Sequence, residues 1–173
     1  MEKVCSCLCR CVSPRVLYAL AALLCAAMIG MALYLQHYKW QEPCPLCYLQ
    51  RLVVILFGIA FFIAAVVPKF RRFHALLLTL IGILGWVIVG RHLYIQSLPL
   101  AEVTGCISGV EEVLKNQPYF QALLSFFQGS ADCWKRDEFL GVRLPVWNLL
   151  IFSAFVVLGW WQVFRKPTTK AAV

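Results

Sequence analysis

Four apolar runs, each about 20 residues long, constrain the fold of this chain more than any other feature. They are Val16–Leu35, Tyr48–Val67, Ala75–Ile95 and Val146–Phe164. As an α-helix, a run of about 20 residues crosses a hydrocarbon core of about 30 Å. Hydrophobic residues make up 62% of the chain and charged residues 14%, against about 45–50% and 25% in soluble proteins. The sequence therefore predicts an all-α integral membrane protein, an antiparallel bundle of four transmembrane helices.

The basic residues predict the orientation of this bundle. The two chain ends and the turn between the second and third runs hold nine Lys or Arg and one acidic residue, whereas the other side holds seven of each. Basic residues concentrate on the cytoplasmic side of membrane proteins, so both termini are predicted to lie in the cytoplasm. The net charge of +8 then reflects membrane topology, and no basic stripe suggests a nucleic-acid partner.

The chain is predicted to form a single membrane domain, residues 1–173. Its successive segments are a cytoplasmic tail (1–15), a first span (16–35), an outer loop (36–47), a second span (48–67), a cytoplasmic turn (68–74), a third span (75–96), a long outer loop (97–145), a fourth span (146–164) and a cytoplasmic tail (165–173). An alternative interpretation of the first run is a cleaved signal peptide, since Arg10 and Arg15 precede it. Its length, and the lack of a clear cleavage site before a polar segment, favour a span.

The long outer loop contains a predicted amphipathic helix in the sequence PYFQALLSFF. Phe120, Leu123, Leu124 and Phe127 follow helical spacing on one face of this segment, which is too short to span the membrane. We expect the helix to lie in the membrane interface. The alternative is a helix that packs on a small core within the loop.

The predicted topology separates the nine cysteines into three groups. Four lie on the outer side, where disulfides persist: Cys44, Cys47, Cys106 and Cys133. Cys44 and Cys47 can bridge each other across a tight turn, which leaves Cys106 with Cys133, and both bridges could be inert structural staples. Cys25 lies in the first span. The tail run CSCLCRC matches zinc-ligand spacing poorly, so we interpret its four cysteines as reduced thiols and expect no metal site.

The Cys44-Pro45-Leu46-Cys47 pair is better suited to redox chemistry than to stabilisation, because so small a ring removes little unfolded-state entropy. Pro45 suits the first turn of a helix, and the N-terminal end of a helix favours a thiolate at Cys47. Arg51 follows four residues later on the same helix face. A cation there could support the thiolate and hold an electron-rich oxygen, although a plain interfacial anchor is the alternative.

Arg91 and His92 are predicted at the outer end of the third span, at the same membrane level as the cysteine pair. A histidine at this level is often only an interface residue. Beside a redox centre, it could donate a hydrogen bond to a bound cofactor.

This ordered set of features resembles the DsbB family, the bacterial membrane quinone reductases that reoxidise periplasmic DsbA. The resemblance rests on PCPLCYLQR, on HLYIQSLP, on Cys106 and Cys133, and on GSADCWKRDEFLGVRLPVW. It implies an inner-membrane protein with periplasmic cysteines, a DsbA-like partner, and ubiquinone or menaquinone as electron acceptor. DsbA, DsbB and quinone are themselves the well-known example of a system that keeps a periplasm oxidising without a redox buffer.

The resemblance also implies roles for individual residues. The reduced partner would attack Cys106, Cys133 would then engage Cys44, and Cys47 would be released as a thiolate beside the quinone. Arg51 matches the family arginine that supports quinone and thiolate, and His92 matches a histidine near the quinone ring.

Some features leave alternatives open. Gln50 stands where an acidic residue can occur in the family, which puts a carboxylate role near the quinone in doubt. A vitamin K epoxide reductase-like enzyme is a second hypothesis, but its Cys-x-x-Cys would come late in the chain. Two non-enzymatic hypotheses are a membrane scaffold with two structural disulfides and a zinc-holding module built from the four outer cysteines.

Overall fold

The computed structural model describes residues 13–39, 44–99, 118–129, 131–134, 138–139 and 141–164. Its elements in chain order are α1 (Pro14–Lys39), α2 (Pro45–Val66), α3 (Arg71–Ser97), the short α4 (Tyr119–Gln128), a 3₁₀ turn (Ala131–Trp134), β1 (Glu138–Phe139), β2 (Val142–Arg143) and α5 (Leu144–Phe164). Cys106 and the cysteines of the CSCLCRC run lie outside the described residues.

The four long helices α1, α2, α3 and α5 are each long and apolar enough to cross a membrane. The predicted all-α membrane fold is therefore confirmed. The helices begin two to four residues before the apolar runs, because helical hydrogen bonding continues into the polar boundary. The predicted turn at 68–74 is shorter in the structure, where α3 already begins at Arg71; arginine is a good helix former, so the basic residues do not delay the helix.

The helices pack mainly as two pairs, α1 with α2 and α3 with α5, which are joined through contacts between α2 and α3. Four rings fill the centre: Phe57, Phe61, Phe152 and Phe155. The Phe57 ring lies 5.6 Å from that of Phe152 and 5.2 Å from that of Phe155, centroid to centroid. Such offset and edge-on pairs are favourable arrangements for aromatic rings.

Small residues let α3 approach α5 closely. A Cβ on Gly82 would strike the Val156 side chain, and a Cβ on Gly85 would lie 2.6 Å from Phe152 Cδ2. Close helix contact through small residues is typical of membrane bundles, where burial of apolar surface drives association little. This contact fixes the distance between the helices that carry His92 and Asn148.

Helix α4 covers the N-terminal end of α2. Ala122 and Phe126 are buried and face the bundle, whereas the four residues of the predicted apolar face are exposed: Phe120, Leu123, Leu124 and Phe127. Among the described residues, the helix packs on α2. Its exposed apolar face is available to lipid, and the interfacial position stays a prediction.

A small antiparallel hairpin precedes α5, with Glu138 opposite Arg143 and Phe139 opposite Val142. Gly141 has a φ of 74° and completes the turn. This hairpin was not predicted from the sequence, because two-residue strands are too short to show an alternating pattern.

Candidate functional site

The Cys44–Cys47 pair forms the N-terminal end of α2. Cys44 is the residue that caps the helix, with extended backbone angles, and Pro45 occupies the first turn. The Cys47 amide N–H donates to Cys44 Sγ at 3.3 Å. The Cys44 thiol in turn donates to Cys47 Sγ at 2.7 Å, so a disulfide bond of about 2.05 Å can form with little movement of the side chains.

Cys133 is brought to this pair by the 3₁₀ turn that follows α4. Its side chain is completely buried, and its thiol contacts the thiol of Cys44. Two contacts hold the turn against the bundle. Trp134 Nε1 donates to the Leu98 carbonyl at 2.9 Å, and Arg91 Nη2 donates to the Gln128 carbonyl at 3.2 Å.

Gly129 permits the close approach of this turn. Its φ is 80°, which favours glycine. A Cβ there would lie 2.5 Å from Ile95 Cδ1 and 3.7 Å from Cys133 Sγ. A larger residue would therefore strain the backbone here, and either the Ile95 side chain or the cysteine-bearing turn would have to move.

The thiol cluster favours the protonated form of Cys44. The contact with Cys133, then the contact with Cys47, and then burial raise the pKa of the Cys44 thiol well above its ordinary value. In the reduced state Cys44 is therefore a poor nucleophile at neutral pH, since the thiolate is the reactive form.

The imidazole of His92, on α3, lies next to Cys44. It is buried, and its Nε2 lies 4.0 Å from Cys44 Sγ. Gln50 Nε2 lies 2.9 Å from His92 Nδ1, and Asn148 Nδ2 donates to Gln50 Oε1 at 2.6 Å. Gln96 Nε2 lies 3.5 Å from His92 Nε2, so each ring nitrogen faces a glutamine amide, and Nε2 also faces the sulfur.

Arg51 points to the opposite neighbour, α1. Its Nη1 donates to Gln36 Oε1 at 2.6 Å and its Nη2 to the Ala32 carbonyl at 3.4 Å. Its guanidinium carbon lies 5.5 Å from the centre of the Tyr48 ring, and Gln36 Nε2 donates to the Tyr48 hydroxyl at 3.3 Å. Gln36 therefore fixes both the arginine and the tyrosine beside it.

The structure thus gathers four of the predicted residues into one cluster: Cys44, Cys47, Cys133 and His92. Arg51 lies on the same face of α2 as Cys47, but its guanidinium turns away from the cluster toward α1. Arg91, expected beside His92 at the site, instead anchors the end of α4. The nearest reactive partner of His92 is a cysteine sulfur, and its predicted role at a quinone ring stays a prediction.

Three residues that shape the site were not predicted from the sequence: Gln36, Gly129 and Asn148. A polar side chain deep within a membrane span is costly and usually functional. Gln36 and Asn148 lie near the ends of their spans, so the sequence indicated a functional role for them only weakly. Gly129 carried none, because glycine in a loop has many uses.

Known proteins share this sequence along most of its length. The family model for DsbB, described as disulfide bond formation protein DsbB, matches residues 14–162. The disulfide bond formation protein B of Methylococcus capsulatus is 38% identical over 160 residues, covering 88% of this chain and 98% of that protein. The protein of the same name from Acinetobacter baylyi is 41% identical over 155 residues, covering 83% and 88%. Disulfide bond formation protein B 1 of Pseudomonas aeruginosa is 32% identical over 158 residues, covering 89% and 97%. The chain therefore belongs to the DsbB family and is a disulfide-forming oxidoreductase of the bacterial membrane.

Proposed function

We propose that this protein reoxidises a DsbA-like periplasmic dithiol and passes the electrons to membrane quinone, either ubiquinone or menaquinone. It acts in the bacterial inner membrane, with both termini in the cytoplasm and the four working cysteines in the periplasm. The charge asymmetry of the sequence supports this orientation.

The contact between the Cys133 and Cys44 thiols is the observation that carries the proposal. Electrons taken from a soluble partner must move from the loop pair to the helix pair, and thiol–disulfide exchange requires the attacking sulfur to reach the disulfide directly. Two structural disulfides could stabilise the fold without any contact between their sulfur atoms. The contact therefore favours an electron path over the scaffold alternative.

The exchange proceeds through four sulfur atoms of the chain. A partner thiolate attacks Cys106 in the Cys106–Cys133 disulfide, and Cys133 leaves as a thiolate. Cys133 attacks Cys44, and Cys47 leaves as a thiolate. The second partner thiol releases the oxidised partner from Cys106. Cys106 then attacks Cys133, so that the loop disulfide reforms and Cys44 leaves reduced.

The Cys44–Cys47 disulfide re-forms when the two thiols lose two electrons and two protons, for which a bound quinone would be the acceptor. Arg51 provides hydrogen-bond donors for a quinone oxygen near Cys47, because it follows one helical turn later and a guanidinium has five N–H groups. Its hydrogen bonds to Gln36 and Ala32 use two of these. Arg51 would therefore hold a quinone oxygen at the lipid boundary.

His92 serves the sulfur chemistry in this scheme. Its Nε2 lies 4.0 Å from Cys44 Sγ, so the imidazole with its proton on Nε2 can stabilise the sulfur as the Cys44–Cys133 bond breaks. Once Cys133 is back in the loop disulfide, the contact with Cys47 and burial still raise the pKa of the Cys44 thiol, which disfavours the reverse attack on the loop disulfide.

Quinone-dependent thiol oxidation tests the proposal. Purified protein, a reduced DsbA-like partner and a soluble quinone analogue should give loss of partner thiols that stops when quinone is omitted. Cys44→Ser and Cys47→Ser should abolish turnover, whereas Cys25→Ser, a buried cysteine away from the site, should retain it. Continued turnover without Cys44 or Cys47 would favour the scaffold alternative.

A further inference from the structure

The thiol cluster has the geometry of a metal site as well as that of a redox centre. One donor atom from each of Cys44, Cys47 and His92 lies within 4.8 Å of the other two. Cys133, whose thiol contacts that of Cys44, lies outside this group of three and becomes the fourth donor when its sulfur moves closer to the other two. Three of the four side chains are buried: Cys44, Cys133 and His92. Bulk water is therefore poorly placed to compete for a bound ion.

Three thiolates and one imidazole are a donor set of closed, tetrahedral zinc sites. With Zn–S distances of about 2.3 Å and a Zn–N distance of about 2.0–2.1 Å, sulfurs in such a site lie about 3.8 Å apart and sulfur and nitrogen about 3.6 Å apart. The Cys44 and Cys47 sulfurs, now 2.7 Å apart, would separate by about 1 Å. The Cys44 sulfur and His92 Nε2, now 4.0 Å apart, would approach by about 0.4 Å.

We propose that the fully reduced form of this protein binds one Zn²⁺ through Cys44, Cys47, Cys133 and His92, and that the bound ion blocks reoxidation. Binding transfers no electrons. Each cysteine thiol loses its proton to solvent as a Zn–S bond forms. A disulfide sulfur has no proton to lose, so the oxidised pairs do not provide this site. The ion therefore selects the reduced state.

The amide chain behind His92 can support a metal-bound imidazole. With a metal ion on Nε2 the imidazole proton is on Nδ1, and a half-turn of the Gln50 amide presents Oε1 to accept it. Asn148, which contacts Gln50 at 2.6 Å, turns with it. Partners of this kind orient a metal-binding histidine, and their loss typically costs about 10–100-fold in metal affinity.

Metal binding to the reduced full-length protein tests the proposal. The tail cysteines are first changed to serine (Cys5, Cys7, Cys9 and Cys11), so that their thiols cannot contribute. The protein is reduced without oxygen, freed of reductant and titrated with Co²⁺ and then Zn²⁺ against a competing chelator. We expect one ion per chain, with cobalt–thiolate absorption, and none in protein oxidised by quinone.

Substitutions identify the ligands. Cys133→Ser and His92→Gln should each weaken binding at least tenfold, and Gln50→Leu should weaken it about 10–100-fold. Three control substitutions should leave metal binding unchanged. Two are at residues away from the cluster, Cys25→Ser and His74→Gln, and the third is at the disulfide partner of Cys133, Cys106→Ser. Absence of stoichiometric binding, or binding that depends on Cys106 and not on His92, would overturn the proposal.

The blocking effect needs no partner protein. Reduced protein alone should lose its Cys44 and Cys47 thiols on addition of quinone, and Zn²⁺ should slow this loss until chelator is added. Equal rates with and without zinc would refute the block. The proposal depends on the proposed function only for this step. Turnover without any zinc binding would refute the metal site alone. Zinc binding without quinone-dependent oxidation would refute the proposed function, and with it the block, but not the metal site.

Discussion

The hydrogen bond between Gln36 and Arg51 should control how well the protein uses quinone. Gln36→Leu removes the acceptor, 2.6 Å from Arg51 Nη1, and keeps a side chain of similar size. A hydrogen bond to a charged group contributes about 1.5–3 kcal/mol, and 1.4 kcal/mol corresponds to about tenfold in an equilibrium constant. Because Arg51 keeps the Ala32 carbonyl and the Tyr48 ring, we expect the lower end of this range, about a tenfold rise in the KM for quinone.

Steady-state thiol oxidation at several quinone concentrations measures this change, with kcat and the KM for the dithiol partner recorded alongside. Thr79→Val is the matched control, because it removes another interhelical acceptor, that of Trp160 Nε1 at 2.9 Å. It should leave the quinone KM unchanged. If Arg51→Gln raises the quinone KM and Gln36→Leu does not, Gln36 does not orient the arginine and the reasoning fails.

Three further predictions concern the turn, the thiols and the core. Gly129→Ala should slow reduction of the Cys44–Cys47 disulfide about tenfold, because strain of about 1–3 kcal/mol at this φ displaces Cys133. Gly90→Ala is the control, since a Cβ added there meets nothing within 4 Å. Equal rates for the two variants would contradict the proposed role of the turn. Cys133→Ala removes the main cause of the raised Cys44 pKa, so the Cys44 thiolate should form at lower pH. The pH profile of Cys44 alkylation by iodoacetamide should then shift to lower pH, and an unchanged profile would disprove the contact. Phe152→Ala should destabilise the fold by about 3–5 kcal/mol, seen as a lower Tm in detergent, whereas Phe164→Ala, at an exposed ring, should change it little; equal effects would argue against the aromatic core.

The membrane fold was predictable because it depends on local properties. Span length and apolar composition identify a transmembrane helix without knowledge of its neighbours. The helix ends were less predictable, since hydrogen bonding at α3 continues through Arg71 and Arg72 beyond the apolar run. The β1–β2 hairpin was not predictable from pattern, because each strand has two residues.

The site was predictable only where its residues are neighbours in sequence. The Cys44–Cys47 spacing and Arg51 one turn later can be read from the chain. The approach of His92 to Cys44 joins residues 48 positions apart, and the contact of Asn148 with Gln50 joins residues 98 apart. Such contacts depend on how the helices pack, which the sequence pattern does not specify.

The direction in which Arg51 points was also beyond sequence reasoning. Spacing places it on the face of Cys47, but Gln36 and the Ala32 carbonyl draw its guanidinium toward α1. The direction of the Arg51 side chain therefore depends on a hydrogen-bond acceptor on α1, which the sequence of α2 does not contain.

The central claim is that electrons cross from the loop pair to the helix pair through a bond between Cys133 and Cys44. Replacing Cys47 and Cys106 with serine leaves these two sulfurs without their other partners, and mild oxidation followed by peptide mass mapping reveals what they bond to. We predict a Cys44–Cys133 disulfide in most of the protein. A Cys44 that stays reduced, or that bonds only to another chain, would contradict the claim.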